Sequence, residues 1–176
     1  MMANIIKTYS QDLPAIRFIG KKYGDEDRVN GSFGAKWGEC FAPGGVLEQV
    51  EKVADAQLFE DAGAYIGLMC HKDGEPFVYA IGMFCPADTP VPEGLDFIDF
   101  APARWGIGWI YGNESKGELY GHENEVFQKC RESGIVIRPD EDNAYWFFER
   151  YVCPRYTSPD EQGNQTLDIG FLAVGE

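Results

Sequence analysis

The sequence predicts an α+β domain in which a β-α-β-β unit occurs twice, related by a pseudo-twofold axis. Antiparallel sheets carry helices on one face, with a ligand groove between the halves. Three observations predict this. Residues 14–24, PAIRFIGKKYG, and 102–112, PARWGIGWIYG, align without gaps at Pro14/Pro102, Ala15/Ala103, Ile19/Ile107, Gly20/Gly108, Tyr23/Tyr111 and Gly24/Gly112. The same offset of 88 residues, half the chain, sets Ile81-Gly82-Met83-Phe84 on Ile169-Gly170-Phe171-Leu172. Shared strand composition does not select one offset twice, so self-similarity at a fixed period reads as duplication. The third observation is that strand-like and helix-like segments follow the same order in each half.

The first half opens with a strand over residues 16–23, rich in β-formers apart from its glycine and lysines. Ser32 is placed to cap a helix whose Phe33, Trp37, Cys40 and Phe41 keep helical spacing. Pro43-Gly44-Gly45 breaks it, and Val46, Leu47, Val50, Val53 and Ala54 resume the period. Residues 65–70 and 77–84 read as a hairpin around Lys72-Asp73-Gly74. Repeat one thus spans about 4–86 and is followed by a proline-rich linker at about 87–95. Repeat two, about 96–176, starts with a strand over residues 97–111. Its helix carries Leu119, Val126, Phe127 and Cys130 on one face and stops at Ser133-Gly134. A second hairpin pairs residues 145–152 with 166–174 across the polar loop 158–164. The whole of residues 1–176 reads as one domain.

Composition narrows the function. Hydrophobic residues at 44% and aromatic residues at 14% exclude a disordered chain. The 29 acids against 15 bases, net −14, repel phosphate backbones and anionic membrane surfaces, and no basic stripe compensates. Neither a nucleic-acid partner nor a membrane partner is expected. No apolar run is long enough to span a bilayer, and residues 1–9 lack the basic-then-apolar order of a secretory signal. A cytoplasmic location follows. Cys40, Cys70, Cys85, Cys130 and Cys153 are odd in number, widely spaced and free of C-x-x-C, so neither a disulfide framework nor a metal site is indicated. No cofactor is expected either, because the chain has no phosphate-binding glycine loop, G-x-S-x-G or H-E-x-x-H. Composition leaves the oligomeric state open.

The candidate site lies in Tyr145-Trp146-Phe147-Phe148-Glu149-Arg150-Tyr151. Strand alternation puts Tyr145, Phe147, Glu149 and Tyr151 on one face and Trp146, Phe148 and Arg150 on the other. A carboxylate among aromatic rings is poorly solvated and favours a cationic partner or a raised pKa. The rings add cation–π attraction for a flat cation. An exposed strand-end acid paired with a lysine is the alternative reading. Trp105, Trp109 and Tyr111 share a face with Ile107, and core or groove floor are both open for them. Tyr65 and Tyr79 pose the same question in the first half. Gly106 and Gly108 leave the opposite face room for a backbone or a ligand. His71 can titrate near neutral pH but sits beside a hairpin loop, where solvent is its natural neighbour.

Several short motifs carry a family resemblance. Val91-Pro92-Glu93-Gly94-Leu95 followed by Ala101-Pro102-Ala103, then Phe148-Glu149-Arg150-Tyr151, then the first-half Phe77-Val78-Tyr79-Ala80-Ile81-Gly82, resemble the GyrI-like small-molecule-binding domain, also called the AraC-type effector-binding domain. The resemblance spans nearly the whole chain. It implies a groove between the halves that takes bulky lipophilic or cationic compounds, with a buried acid that falls on Glu149. Tyr145, Phe147, Trp105, Tyr65, Tyr79, Tyr151 and Trp109 are then candidate aromatic walls. The duplicated domain fills the 176 residues, so a stand-alone binder without a DNA-binding module is expected. The same resemblance implies two alternatives. One is a hydrolase of cyclopropane-bearing alkylating natural products, with Glu149 and Tyr145 as catalytic residues. The other is an inhibitor of DNA gyrase.

Overall fold

Strand-forming residues dominate the chain, and a computed structural model, which describes residues 2–173, gathers them into one sheet of eight antiparallel strands. β1 (Ile5–Leu13), β2 (Ile16–Tyr23), β3 (Tyr65–His71), β4 (Val78–Pro86), β5 (Asp96–Phe100), β6 (Ala103–Gly112), β7 (Tyr145–Tyr151) and β8 (Gln165–Ala173) lie in the order β1-β6-β8-β7-β3-β4-β2-β5. The helices are α1 (Gly34–Phe41), α2 (Val46–Glu51) and α3 (Glu123–Glu132). The α+β class is as expected, and so are the β3–β4 and β7–β8 hairpins. Residue 174, the expected end of the last strand, lies outside the described residues. No helix among the described residues is long and apolar enough to cross a membrane.

The element order corrects the expected β-α-β-β unit to β-β-α-β-β, because two strands escape the sequence pattern. β1 is an edge strand with polar outward residues and a register irregularity between Ile5 and Lys7, so its apolar residues alternate weakly. The expected strand 97–111 is in fact β5 and β6. Pro102 has no N–H to offer a ladder, and the chain turns there.

These two corners shape the molecule. Pro14-Ala15 joins β1, first in the sheet, to β2, seventh; Ala101-Pro102 joins β5, eighth, to β6, second. In a flat sheet six strand spacings would separate each pair by roughly 29 Å. A two-residue link reaches at most about 11 Å. The sheet therefore curls until its ends approach. Phe100 of β5 meets Trp105 of β6 with ring centroids 5.5 Å apart.

The inside of the curl is the aromatic core. The Phe84 ring lies within 6.3 Å, centroid to centroid, of Phe18, Phe100, Trp105 and Phe148. Trp105 is fully buried there, and its indole N–H has no hydrogen-bond partner among the described residues. An orphaned donor costs about 1–3 kcal/mol. Burying the ring contributes about 4–6 kcal/mol from its area, so the site still favours tryptophan.

An ionic cluster closes this face. Asp168 of β8 is fully buried and accepts from the guanidinium groups of Arg150 (2.8 Å) and Arg155 (2.5 Å). Arg155 also pairs with Asp61 at 2.9 Å, and Arg150 donates to Gln11 and Tyr9 of β1 at 2.8 and 3.2 Å. The cluster ties β1, β7, β8 and the loop after α2 together.

The outer face carries the helices. α2 packs on β2 and β4, and α3 on β1, β6 and β8. Gly106 and Gly108 receive α3 and the chain after it. A Cβ would stand 2.8 Å from Ile135 at the first and 2.5 Å from Val126 at the second. The room those glycines leave is thus taken by the protein's own side chains. Between the two helical layers, β3 and β7 at the centre of the sheet form the floor of a gap.

Candidate functional site

The alternation of β7 holds. Phe147, Glu149 and Tyr151 face the gap, while Phe148 joins the inner core and Arg150 the ionic cluster. Arg150 is therefore no partner for Glu149, its sequence neighbour. The gap is a cavity of about 1320 Å³, larger than the roughly 300–1,000 Å³ typical of drug-sized pockets. Its lining is largely aromatic and includes Phe33 and Trp37 from the start of α1, Tyr79 from β4, and Tyr120 and Tyr156 from loops.

Glu149 sits at the floor, 7% exposed. The Tyr79 hydroxyl donates to its Oε2 at 3.2 Å, and the Tyr151 hydroxyl donates to the same oxygen. Tyr79 in turn accepts from Trp37 Nε1 at 2.8 Å and stacks on Phe33 at 4.3 Å, with the rings nearly parallel. Trp37 meets the Tyr151 ring edge-on at 5.0 Å. A hydrogen-bonded chain, Trp37 to Tyr79 to Glu149, thus connects α1 to the sheet floor.

Gly67 of β3, opposite Glu149, makes room for this chain. A Cβ there would lie 2.6 Å from the Tyr79 hydroxyl and 3.3 Å from Glu149 Oε2. The Phe33 stack and the Trp37 hydrogen bond keep Tyr79 from swinging away. Gly67→Ala should cost about 1–3 kcal/mol in urea denaturation, as overpacking does. An unchanged midpoint would mean that the tyrosine yields freely.

Burial pushes the Glu149 carboxyl up to about 7; the Tyr151 hydroxyl opposes this, the Glu123 charge adds to it, and the Tyr79 hydroxyl opposes it again. The sign for stability follows. The folded-state value lies above the ordinary 4.5, so the favourable neutral form is fully present below pH 4.5. That stability is lost as pH rises through 7. Glu149→Gln should then be about 2 kcal/mol more stable than the parent at pH 8 and gain nothing at pH 4.5. Two parallel denaturation curves check this, and an equal gain at both values would remove the acid's burial as the cause.

The fold recurs in solved structures. One is a proposed bacterial transcription regulation protein from Staphylococcus aureus MU50, 17% identical, with TM-score 0.63 over 97% of this chain and 99% of that one. Another is SAV2435 bound to tetraphenylphosphonium, 16% identical, with TM-score 0.65 over 97% and 95%. At such identity the likeness establishes the fold alone. No protein-family model matches the chain, and no curated protein matches it in sequence.

The residues singled out from sequence divide into two groups. Glu149, Phe147, Tyr65, Tyr79 and Tyr151 meet at the cavity. Tyr65 stands at its margin, where its hydroxyl donates to Glu51. Trp105 and Trp109 face the other side of the sheet. Trp105 is core; the Trp109 indole N–H donates to Tyr9 at 3.2 Å beneath the Arg155 guanidinium, 4.2 Å from the ring. Tyr145, at the start of β7 opposite His71, is 36% exposed and outside the cavity lining. The hydroxyls at Glu149 belong to Tyr79 and Tyr151 instead. His71 is exposed and pairs with Asp73 at 3.3 Å. Sequence reading missed Phe33 and Trp37 as lining, because a helical apolar stripe reads as core. It missed Tyr120 and Tyr156 because loops carry no period. Ser32, expected to cap α1, stands one residue too early: Phe33 holds the cap position, and Ser32 Oγ accepts only from the Gly34 N–H at 2.9 Å, in the turn that leads into the helix.

Proposed function

We propose that the chain is a GyrI-like small-molecule-binding domain that captures lipophilic organic cations between its helical layers. The observation that carries this is Glu149, an acid 7% exposed on the floor of a large aromatic cavity and out of reach of any arginine or lysine ion pair among the described residues. A buried carboxylate of this kind gains most from a guest that brings the missing positive charge. The rings supply apolar area and cation–π attraction, which are insensitive to the guest's detailed shape. SAV2435, of the same fold, is bound to tetraphenylphosphonium, a lipophilic cation.

The domain reading is residues 1–176 as one unit, with repeats at about 4–86 and 96–176 joined by 87–95. Segments 14–24 and 102–112 fall on β2 and β6, and 81–84 and 169–172 on β4 and β8, which supports duplication.

Equilibrium dialysis against tetraphenylphosphonium, with mass spectrometry of the recovered compound, tests capture. The expected result is saturable retention of unchanged cation. Absence of retention removes the proposal. A second reading, hydrolysis of cyclopropane-bearing alkylators, is favoured by a carboxyl with a pKa of about 7 beside two tyrosine hydroxyls, which suits proton transfer at neutral pH. A water adduct formed by the parent protein and absent with Glu149→Gln would establish it.

A further inference from the structure

Among the described residues, Arg28 is the one basic member of the cavity wall. Its place follows from the local sequence. Val29 and Ser32 form an antiparallel bridge, the Val29 N–H donating to the Ser32 carbonyl at 2.8 Å and the Ser32 N–H to the Val29 carbonyl at 3.1 Å. Asn30 and Gly31 between them have φ of 52° and 77°, the two left-handed residues that a tight hairpin turn of this kind needs. The residues next outward, Arg28 and Phe33, therefore stand side by side. The guanidinium carbon lies over the Phe33 ring, 4.4 Å from its centroid, and over the Phe77 ring at 5.7 Å.

Both rings belong to the cavity wall. Phe33 stacks on Tyr79 at 4.3 Å, and the Tyr79 hydroxyl reaches Glu149 at 3.2 Å. Direct contacts thus run from the guanidinium to the acid on the floor. The protein's own side chain marks this position as one that accepts a flat, delocalised cation. Little holds Arg28 there. Its ion pair with Asp25, at 2.9 Å, joins side chains that are 36% and 65% exposed, and its hydrogen bond to the Gly31 carbonyl is long, at 3.3 Å. Exposed pairs and exposed cation–π contacts are both weak. Asp25 is not a wall residue, so it keeps a partner for the guanidinium once that group leaves the rings.

Resting on the capture reading, we propose that the space over Phe33 and Phe77 is a subsite for a flat aromatic cation, filled without a guest by Arg28, which the guest displaces. Arg28 is then a specificity-determining residue. It lowers the affinity of a guest that uses this subsite by the fraction of time the subsite stands free. A contact of this strength leaves it free roughly a third to a tenth of the time.

The test compares N-methylacridinium with acridine, the same flat frame without charge at pH 8. Both are titrated by fluorescence, at low salt, into the parent chain and Arg28→Ala. Arg28→Ala should bind N-methylacridinium about three- to tenfold more tightly than the parent does. Acridine gains no cation–π attraction at the subsite and should change by less than about twofold. In a Phe33→Leu background the shared ring is gone, and Arg28→Ala should then alter N-methylacridinium binding by less than about twofold. Arg28→Gln and Phe77→Leu replace either variant that fails to fold. Equal tightening of both compounds would reduce Arg28 to a steric obstacle and overturn the proposal. No tightening in Arg28→Ala, or a gain that survives Phe33→Leu, overturns it as well. Tetraphenylphosphonium, titrated into the same samples, separates the two readings. If the parent retains it while Arg28→Ala leaves N-methylacridinium unbound or unchanged, capture stands and the subsite falls. If the parent binds neither cation, both fall together.

Discussion

Glu149→Gln is expected to weaken tetraphenylphosphonium binding at pH 8 by about 30- to 1,000-fold, the cost of removing one member of a desolvated charge pair. The substitution preserves volume and keeps an oxygen for the Tyr79 and Tyr151 hydroxyls, so the loss isolates charge from packing. A pH series makes the same point without mutation. The phosphonium charge does not titrate, so any slope belongs to the protein. With the free carboxyl at about 7, affinity should level off above that pH and fall toward tenfold per unit below it. The variant should be flat. A variant that binds within threefold of the parent, or a parent with no slope between pH 5 and 8, would leave aromatic burial as the whole of the affinity.

The largest stability effect is expected at Asp168. It is fully buried and holds two guanidinium groups, one of them on the almost fully buried Arg150. Asp168→Asn leaves that charge in place with Asp61, 3.6 Å away, as its one remaining carboxylate among the described residues. Breaking one side of a buried pair costs about 3–5 kcal/mol, because the stranded ion keeps its desolvation penalty. For a chain of this size the melting temperature should drop by roughly 6–20 °C. Asp61, which is partly exposed, should matter less when changed to Asn, since solvent screens what Arg155 loses. The two variants can be compared in one urea series. A loss below about 1 kcal/mol for Asp168→Asn would mean that water enters the cluster and that Arg150 is less isolated than its burial implies.

These two acids show how unevenly sequence reports on a site. Glu149 stood out because an acid inside a run of aromatic residues is chemically costly wherever the strand lies. Asp168 did not, since one acid in a strand between Leu167 and Ile169 looks like an ordinary outward residue. Its partners are Arg150 on the neighbouring strand and Arg155 in a loop, both shared with Asp61 about a hundred residues away, and no local pattern announces them. Trp105 and Tyr79 illustrate the same divide. Both are aromatic residues in strands, yet one is walled into the curl and the other is hydrogen-bonded to Glu149 on the helix side.

What the amino-acid order determined by itself is local. It set the α+β class, both hairpins, three helices, and the face of β7 shared by Phe147, Glu149 and Tyr151, because alternation and helical period are properties of neighbours along the chain. What only the tertiary structure decided is which edges meet. β1 pairs with β6 and β5 with β2, while corners two residues long join β1 to β2 and β5 to β6, and that exchange curls the sheet. The curl sends Trp105 and Trp109 inward and leaves β3 and β7 as the floor between helices. Strand pairing over such distances depends on which buried surfaces fit together, and that free energy belongs to the whole chain rather than to any window of it.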